Sequence, residues 1–380
     1  MQRFTRLAVA VATVAMVTVS VPSAAAVARD GGGQQSGGRH AVFVQTDDPA
    51  GNQIVAYRRA DDGRLTKAGT YDTRGLGGVL DGSVVDHLAS QGSLTYDPGH
   101  ALLYAVNAGS DSVSVFSVDS DRLHLRQVVG SGGRFPVSVA VHGDVVYVLN
   151  ALDGGSVQGY TVRDGRLVAR AGWNRSLGLD PNATPQFTNT PGQVGFTGDG
   201  DQLVVTTKAN GSNLLVFGLA RSGAPAGSPV VTNLPGTVPF AFVPNGRHGL
   251  FLAEAGPNAV ATMTVHRDGT VSQESVAPTG QAATCWIAAA RDYLYASNAG
   301  SASVSGFRAS ESGRLTALGN TTTDPGTVDA SASPDGRYLY VQTGAHGVVD
   351  EFAVGRDGSL ASLGSETVPG AVGGEGIVAV

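Results

Sequence analysis

The sequence predicts an all-β fold: a seven-bladed β-propeller closed by pairing of the C-terminal strand with the N-terminal blade. Three observations carry this reading. The stretch LYAVNAGSDSVSVF at residues 103–116 returns as LYASNAGSASVSGF at 294–307, and aligning the whole chain on it gives seven copies. They begin at Val42, Leu103, Val146, Leu203, Leu250, Leu294 and Leu339, the last four spaced by 47, 44 and 45 residues, which is the period of a four-stranded propeller blade. The apolar residues fall in short runs rich in Val, Ala and Tyr, bounded by Asp-Gly, Gly-Ser and Asn-Gly pairs; with 54 glycines in 380 residues, these punctuate strands rather than helices. The chain ends are also complementary. The first copy lacks a leading strand, and EGIVAV at 375–380 is a leading strand with no blade behind it. Their pairing would close the ring and leave no exposed edge.

Taken in order, the chain begins with Arg3 and Arg6 ahead of an apolar run at residues 7–21, followed by the small residues Ala24 and Ala26. This is the layout of a secretory signal peptide over residues 1–26, and the run is short for a bilayer span. No arginine pair suggests the twin-arginine route, and no cysteine stands near the cleavage site to take a lipid. The expected mature protein is secreted, extracellular and without a membrane span. Residues 27–39, containing DGGGQQSGGR, read as a flexible lead-in, and residues 40–380 as the propeller. Loss of Arg3 and Arg6 lowers the basic count from 25 to 23 against 31 acidic residues, a net charge of −8. Such a surface repels nucleic acid and anionic membranes. One cysteine, Cys285, excludes an intramolecular disulfide. A monomer acting on or binding a small molecule is expected.

Within a copy, PVSVAV at 136–141 turns into VVYVLN at 145–150, a Gly-rich loop leads to SVQGYTV at 156–162, and DGRL turns into an outer strand. These are strands A to D, counted outward from the axis. Because A and B run antiparallel, A starts and B ends from all blades converge on one mouth of the channel. Near the A starts stand Gln91, Arg134, Gln193, Pro239, Cys285, Asp329 and Glu375; near the B ends stand Thr46, Asn107, Asn150, Lys208, Glu254, Asn298 and Thr343. Both rings are mostly polar, as a hydrated pocket requires.

Candidate chemistry follows from the departures from Asn and Thr. Glu254, Asp329 and Glu375 are the candidate carboxyl catalysts, able to activate water if burial raises one toward neutrality, with Lys208 to steady an oxyanion. The insertion at 74–94 is expected to arch over this face and brings His87, a candidate general base, together with Arg74, Asp81 and Asp86. A second insertion at 174–193 is expected to join it in a partial lid. Lys208, Arg134, Gln193, Asn107, Asn150 and Asn298 are the candidate substrate contacts. The three asparagines carry a structural reading beside the binding one, since Asn caps tight turns. Cys285 reads as a buried small hydrophobe beside Trp286 or, less simply, as a nucleophile.

The chain has no GxSxG, HExxH, CxxC or P-loop, so serine esterase, zincin and phosphate-cradle chemistries lack their supports. Its Asp-Gly turns do not continue into calcium-loop spacing. No metal or other cofactor is expected; calcium in the channel, held by Asn, Asp and Glu, is the alternative.

The strands LYAVN and LYASN, the turn SPDGRYLYV at 333–341 and the DGRL or DGSL endings resemble the seven-bladed lactonase-type propellers, which include bacterial 6-phosphogluconolactonases and fungal carboxymuconate cyclases. GSLTYDPGHALLYAVNAGSDSVSVF, GGRFPVSVAVHGDVVYVLN and TCWIAAARDYLYASNAGSASVSGF resemble a secreted actinobacterial, lactonase-like branch. The resemblance, over residues 40–380, implies hydrolysis of a small lactone or the reverse cyclisation. A phosphosugar lactone needs a basic cluster, and only Arg134 and Lys208 stand near the mouth, with Arg74 in the inserted loop, so the implied substrate is not phosphorylated. A noncatalytic propeller that binds a ligand, glycan or protein at the same mouth is the alternative.

Overall fold

The computed structural model describes residues 40–310 and 312–380; the expected signal peptide and lead-in, residues 1–39, lie outside them. Seven four-stranded antiparallel sheets follow one another, each with its strands in the order A-B-C-D. Blade 2 is representative, with strands Leu94–Asp97, Leu102–Asn107, Ser112–Asp119 and Arg122–Gly130. Blade 1 is composite: Ile377–Ala379 supplies its strand A and pairs antiparallel with strand B, Ala41–Gln45, in the register Val42↔Ala379 and Val44↔Ile377. Strands C and D of that blade are Gln53–Arg59 and Leu65–Asp72. The predicted closure is what the chain adopts.

Burial explains why the repeat is legible. A strand B lies between its sheet neighbours and is covered by the adjoining blades on both faces, so all six residues of Leu102–Asn107 and of Tyr293–Asn298 are buried. A strand buried on both faces is written as a continuous apolar run. Strand D faces water, and Leu360–Thr367 accordingly has no fully buried residue. The tyrosines of strand B tie neighbouring blades together. Tyr340 Oη donates to the Gly63 carbonyl across the closure (2.7 Å), and Tyr295 Oη donates to the Gly358 carbonyl between blades 6 and 7 (2.9 Å). The acceptor turn needs glycine: Gly63 has φ +92° and a Cβ there would run into the Tyr338 ring.

Asp329 and Ser331, on strand A of blade 7 (Thr327–Ala332), hold the closing strand by accepting from Ile377 N (3.4 Å) and Ala379 N (3.0 Å). Deleting residues 377–380 removes these bonds, the pairing with Ala41–Gln45 and the burial of Ile377. We expect a loss of about 5 kcal/mol from burial and hydrogen bonding together. Urea denaturation of the truncated protein checks this, and an unchanged midpoint would show that the ring does not depend on the exchange.

Candidate functional site

Two of the expected strand B ends shift. Strand B of blade 1 stops at Gln45 and that of blade 4 (Gln202–Thr206) stops at Thr206, so Asp47 and Lys208 each stand two residues beyond a strand. Both take left-handed backbone, φ +53° and +52°, which turns their side chains back over the channel mouth. Glu254, by contrast, ends strand B of blade 5 (Gly249–Glu254) as read.

The first insertion goes further than the sequence predicts. Residues 77–85 reach across the mouth, from Asp47 of blade 1 past Phe135 to Pro185 of the second insertion and Gly344 of blade 7, and residues 86–91 run on into the channel and are packed there. Asp86, Leu88, Ala89 and Ser90 have no exposed surface. The Ser90 carbonyl accepts from Trp286 Nε1 of blade 6 (2.6 Å), and its hydroxyl donates to the Val137 carbonyl of blade 3 (2.9 Å). The Gln91 carboxamide pairs with both peptide groups of Ile287, at 3.0 and 2.9 Å. The second insertion lies against the first, with Phe187 N donating to the Asp81 carbonyl (2.9 Å). The two do meet as a cover, but one of them is a plug.

Lys208 holds both. Its ammonium donates to the carbonyls of Ala89 (2.6 Å) and Phe187 (2.7 Å) and to Thr190 Oγ1 (3.1 Å). Burial lowers its pKa to about 7 against the opposing pull of the Asp86 charge. Asp86 accepts backbone N–H groups from Leu88 (2.8 Å) and Ser90 (3.1 Å), and burial still lifts it to about 6. Beside this pair lie three more buried carboxyl groups. Asp47 accepts from Gln45 Nε2 and from Glu375 N, and is pushed by burial to about 8. Asp329 is pushed by burial to about 7. Glu375 rises well above its usual range, first through burial and then through the charges of Asp329, Asp86 and Asp47. Its Oε2 lies 3.2 Å from Ser90 Oγ, while Oε1 is buried without a partner.

Of the other candidates, His87 and Cys285 border this cluster and the rest stand apart from it. Glu254 is 1% exposed, has a buried Oε1 with no partner and is raised by burial to about 7. His87 packs on Gly373, its Nδ1 is buried without a partner, and burial lowers its pKa, so it is neutral. Gln193 clamps blade 4 to blade 5 through both peptide groups of Phe242, at 3.1 and 2.6 Å. Arg134 sits exposed on the rim near Asp153 (3.4 Å). Asn107 donates to Ser112 and Ser114, and Asn298 to Ser303 and Ser305, each bracing strand B to strand C. Asn150 donates to the Ser131 carbonyl and to Ser156 Oγ, leaving a buried Oδ1 free of partners. Cys285 is buried and its thiol is pushed up to about 12.

Residues 78–373 match the family model described as lactonase, 7-bladed beta-propeller. The chain belongs to that family. Its fold is similar to that of a candidate 6-phosphogluconolactonase from Bacteroides fragilis, with TM-score 0.72 and 20% identity over 92% of this chain and 100% of the other. It is similar also to the periplasmic gluconolactonase PpgL of Pseudomonas aeruginosa, with TM-score 0.70 and 19% identity over 90% and 99% of the two chains. A comparison with curated protein sequences finds no match. Among the described residues no group of three or more His, Cys, Asp or Glu is arranged to hold a metal ion, and no helix is long and apolar enough to cross a membrane.

The sequence reading passed over Asp47 and did not rank Asp86 as a site residue. Asp47 sits in DDPAGN, where an acidic residue in a turn is ordinary, and its signal was positional: it occupies the place that Lys208 occupies three blades on. Open clefts of about 530 and 610 Å³ lie on the opposite face, along the A–B and C–D turns of blades 3 to 5. They share Asp199, which is held below its usual range, burial being outweighed by its hydrogen bonds and by His248. The carboxyl groups displaced toward neutral pH and the open space are therefore on different faces.

Proposed function

We propose that the protein is a secreted hydrolase of a small, non-phosphorylated lactone, working at the plugged end of the channel with Glu254 as general base. The observation that supports this most is Glu254 itself: a carboxyl group raised to about 7, with one oxygen lacking any partner, in a chain of the lactonase family. A base of that pKa is half ionised at neutral pH, where proton abstraction from water is best matched. It would take a proton from water attacking the lactone carbonyl; the ring C–O bond then breaks and the ring oxygen leaves as a hydroxyl. His87, Asp329 and Glu375 are proposed beside Glu254 on their position alone. His87 is a neutral imidazole beside Asp47, and Asp329 and Glu375 lie close enough to share a proton.

The bound substrate has little to offer it positive charge. Lys208 already donates to three protein oxygens, and Arg134 is on the exposed rim. A phosphate would have no cluster of free donors, which supports a neutral or weakly acidic lactone. A binding propeller without turnover is the second reading, favoured by the sealing of Glu254, Asp329 and Glu375 at 1%, 4% and 0% exposure.

A pH-stat screen of the purified protein against aldonolactones, aliphatic lactones and a phosphorylated lactone decides between them. We expect turnover of unphosphorylated lactones that survives EDTA. Loss with EDTA and recovery with calcium would instead assign the chemistry to a channel metal, and no turnover of any lactone would favour binding.

A further inference from the structure

The cluster under the plug has an imbalance of charge. Asp86, on the plug, faces Lys208 of blade 4, and this one ammonium can offset one carboxylate. Asp47 of blade 1, Asp329 of blade 7 and Glu375 of the closing segment bring three more carboxyl groups into the same buried region, each within reach of the Asp86 charge. His87 is neutral and faces Asp47 and Asp48, while Cys285 of blade 6 faces Lys208 and Asp86 as a thiol. Several like charges cannot share a site from which water is excluded, so with the plug seated these carboxyl groups must hold protons. The plug completes the seal, since Ser90 Oγ covers Glu375 Oε2 at 3.2 Å, where it can accept the carboxyl proton.

We propose that the 74–94 insertion is a proton-controlled plug, seated while Asp47, Asp329 and Glu375 are protonated and withdrawn when they ionise, and that its withdrawal opens the mouth to substrate. Only the last clause rests on the hydrolase reading. The direction follows from linkage. A carboxyl group whose pKa is higher with the plug seated favours the seated state below that pKa, and this preference fades as pH rises through about 7 for Asp329 and about 8 for Asp47. Lys208 acts oppositely, because an amine whose pKa is lowered to about 7 tolerates the seated state better once it is neutral. One amine stands against three carboxyl groups, so the net response to rising pH is release.

Cys285 is a built-in reporter. It is the one cysteine of the chain, 7% exposed beneath the plug, with a thiol pushed up to about 12. Iodoacetamide labelling of the intact protein, followed by mass spectrometry, would be run from about pH 6 to about pH 9, with each rate divided by that of glutathione at the same pH. Withdrawal would restore an ordinary thiol, so the normalised rate should rise at least tenfold across this range. In Glu375→Gln the rise should move to higher pH and shrink several-fold, with Asp47→Asn giving the same result should the first variant fail to fold. A flat normalised rate, an identical rise in wild type and both variants, or a rise that coincides with loss of the near-ultraviolet circular dichroism signal would each overturn the proposal. Turnover is not read in this experiment, so a failed lactone screen and a failed plug are separate outcomes.

Discussion

Replacing Lys208 by methionine is expected to cost about 3–5 kcal/mol at pH 6, the range for removing one partner from a buried charged contact. The side chain keeps its unbranched stem to the ε position and loses all three donors. The Ala89 and Phe187 carbonyls and Thr190 Oγ1 lose their partner, and the Asp86 carboxylate loses its counter-charge. Each orphaned buried acceptor carries its own desolvation penalty. The effect should be uneven over the molecule. Residues 74–94 and 174–193 should become the first sites of proteolysis, because Lys208 joins both to the propeller, while the blades keep their strand pairing. Urea denaturation and mapped trypsin and thermolysin cleavage check the two parts. A loss below about 1 kcal/mol would mean that the ammonium is as well solvated by water as by these three oxygens. Asp86→Asn made in the same background should add less than it costs alone, since the two groups share one interaction.

This variant also shows where the sequence was readable. The blades could be read because a strand buried on both faces repeats its apolar run, and the terminal exchange because one end lacked what the other had in surplus. The repeated serines have a reason too: NAGSDSVS and NAGSASVS place Ser112 and Ser114, and Ser303 and Ser305, where the terminal amide of strand B reaches them. The sequence read these asparagines as turn caps; in the structure they brace strand B to the two serines of strand C. Depth was not readable. Nothing in the polarity of RGLGGVLDGSVVDHLASQGSL separates a loop over a channel from one inside it, although the small residues Ala89 and Ser90 are what a narrow channel admits. Lys208 was found by its departure from the repeat, yet its two-residue displacement past strand B decides its partners, and that comes from its left-handed backbone. Asp47 shares this geometry and was hidden for the same reason.

Glu254→Gln is expected to abolish turnover without harming the fold, a combination that separates a working base from a structural carboxylate. Gln keeps the shape of the side chain and cannot take a proton, so kcat should fall by about 10²- to 10⁴-fold, the usual contribution of a general base. In the wild type, the rate should decline as pH falls below about 7, where Glu254 is protonated. Stability should move the other way. A carboxyl group raised by burial is best tolerated when protonated, so the wild type loses stability as pH rises from the ordinary carboxyl range through about 7. The glutamine variant carries no charge to bury and should be more stable than wild type at pH 8, by on the order of 1–3 kcal/mol, with the difference vanishing near pH 4. Rate profiles and urea midpoints at the two pH values test both halves. Lost turnover together with lost stability at pH 8 would make Glu254 a structural group, and retained turnover would move the base to His87 or to the Asp329–Glu375 pair. Were the buried Oε1 simply awaiting water to complete a structural contact, glutamine would supply the same oxygen and leave the rate unchanged; the proton it cannot accept is the difference the experiment reads.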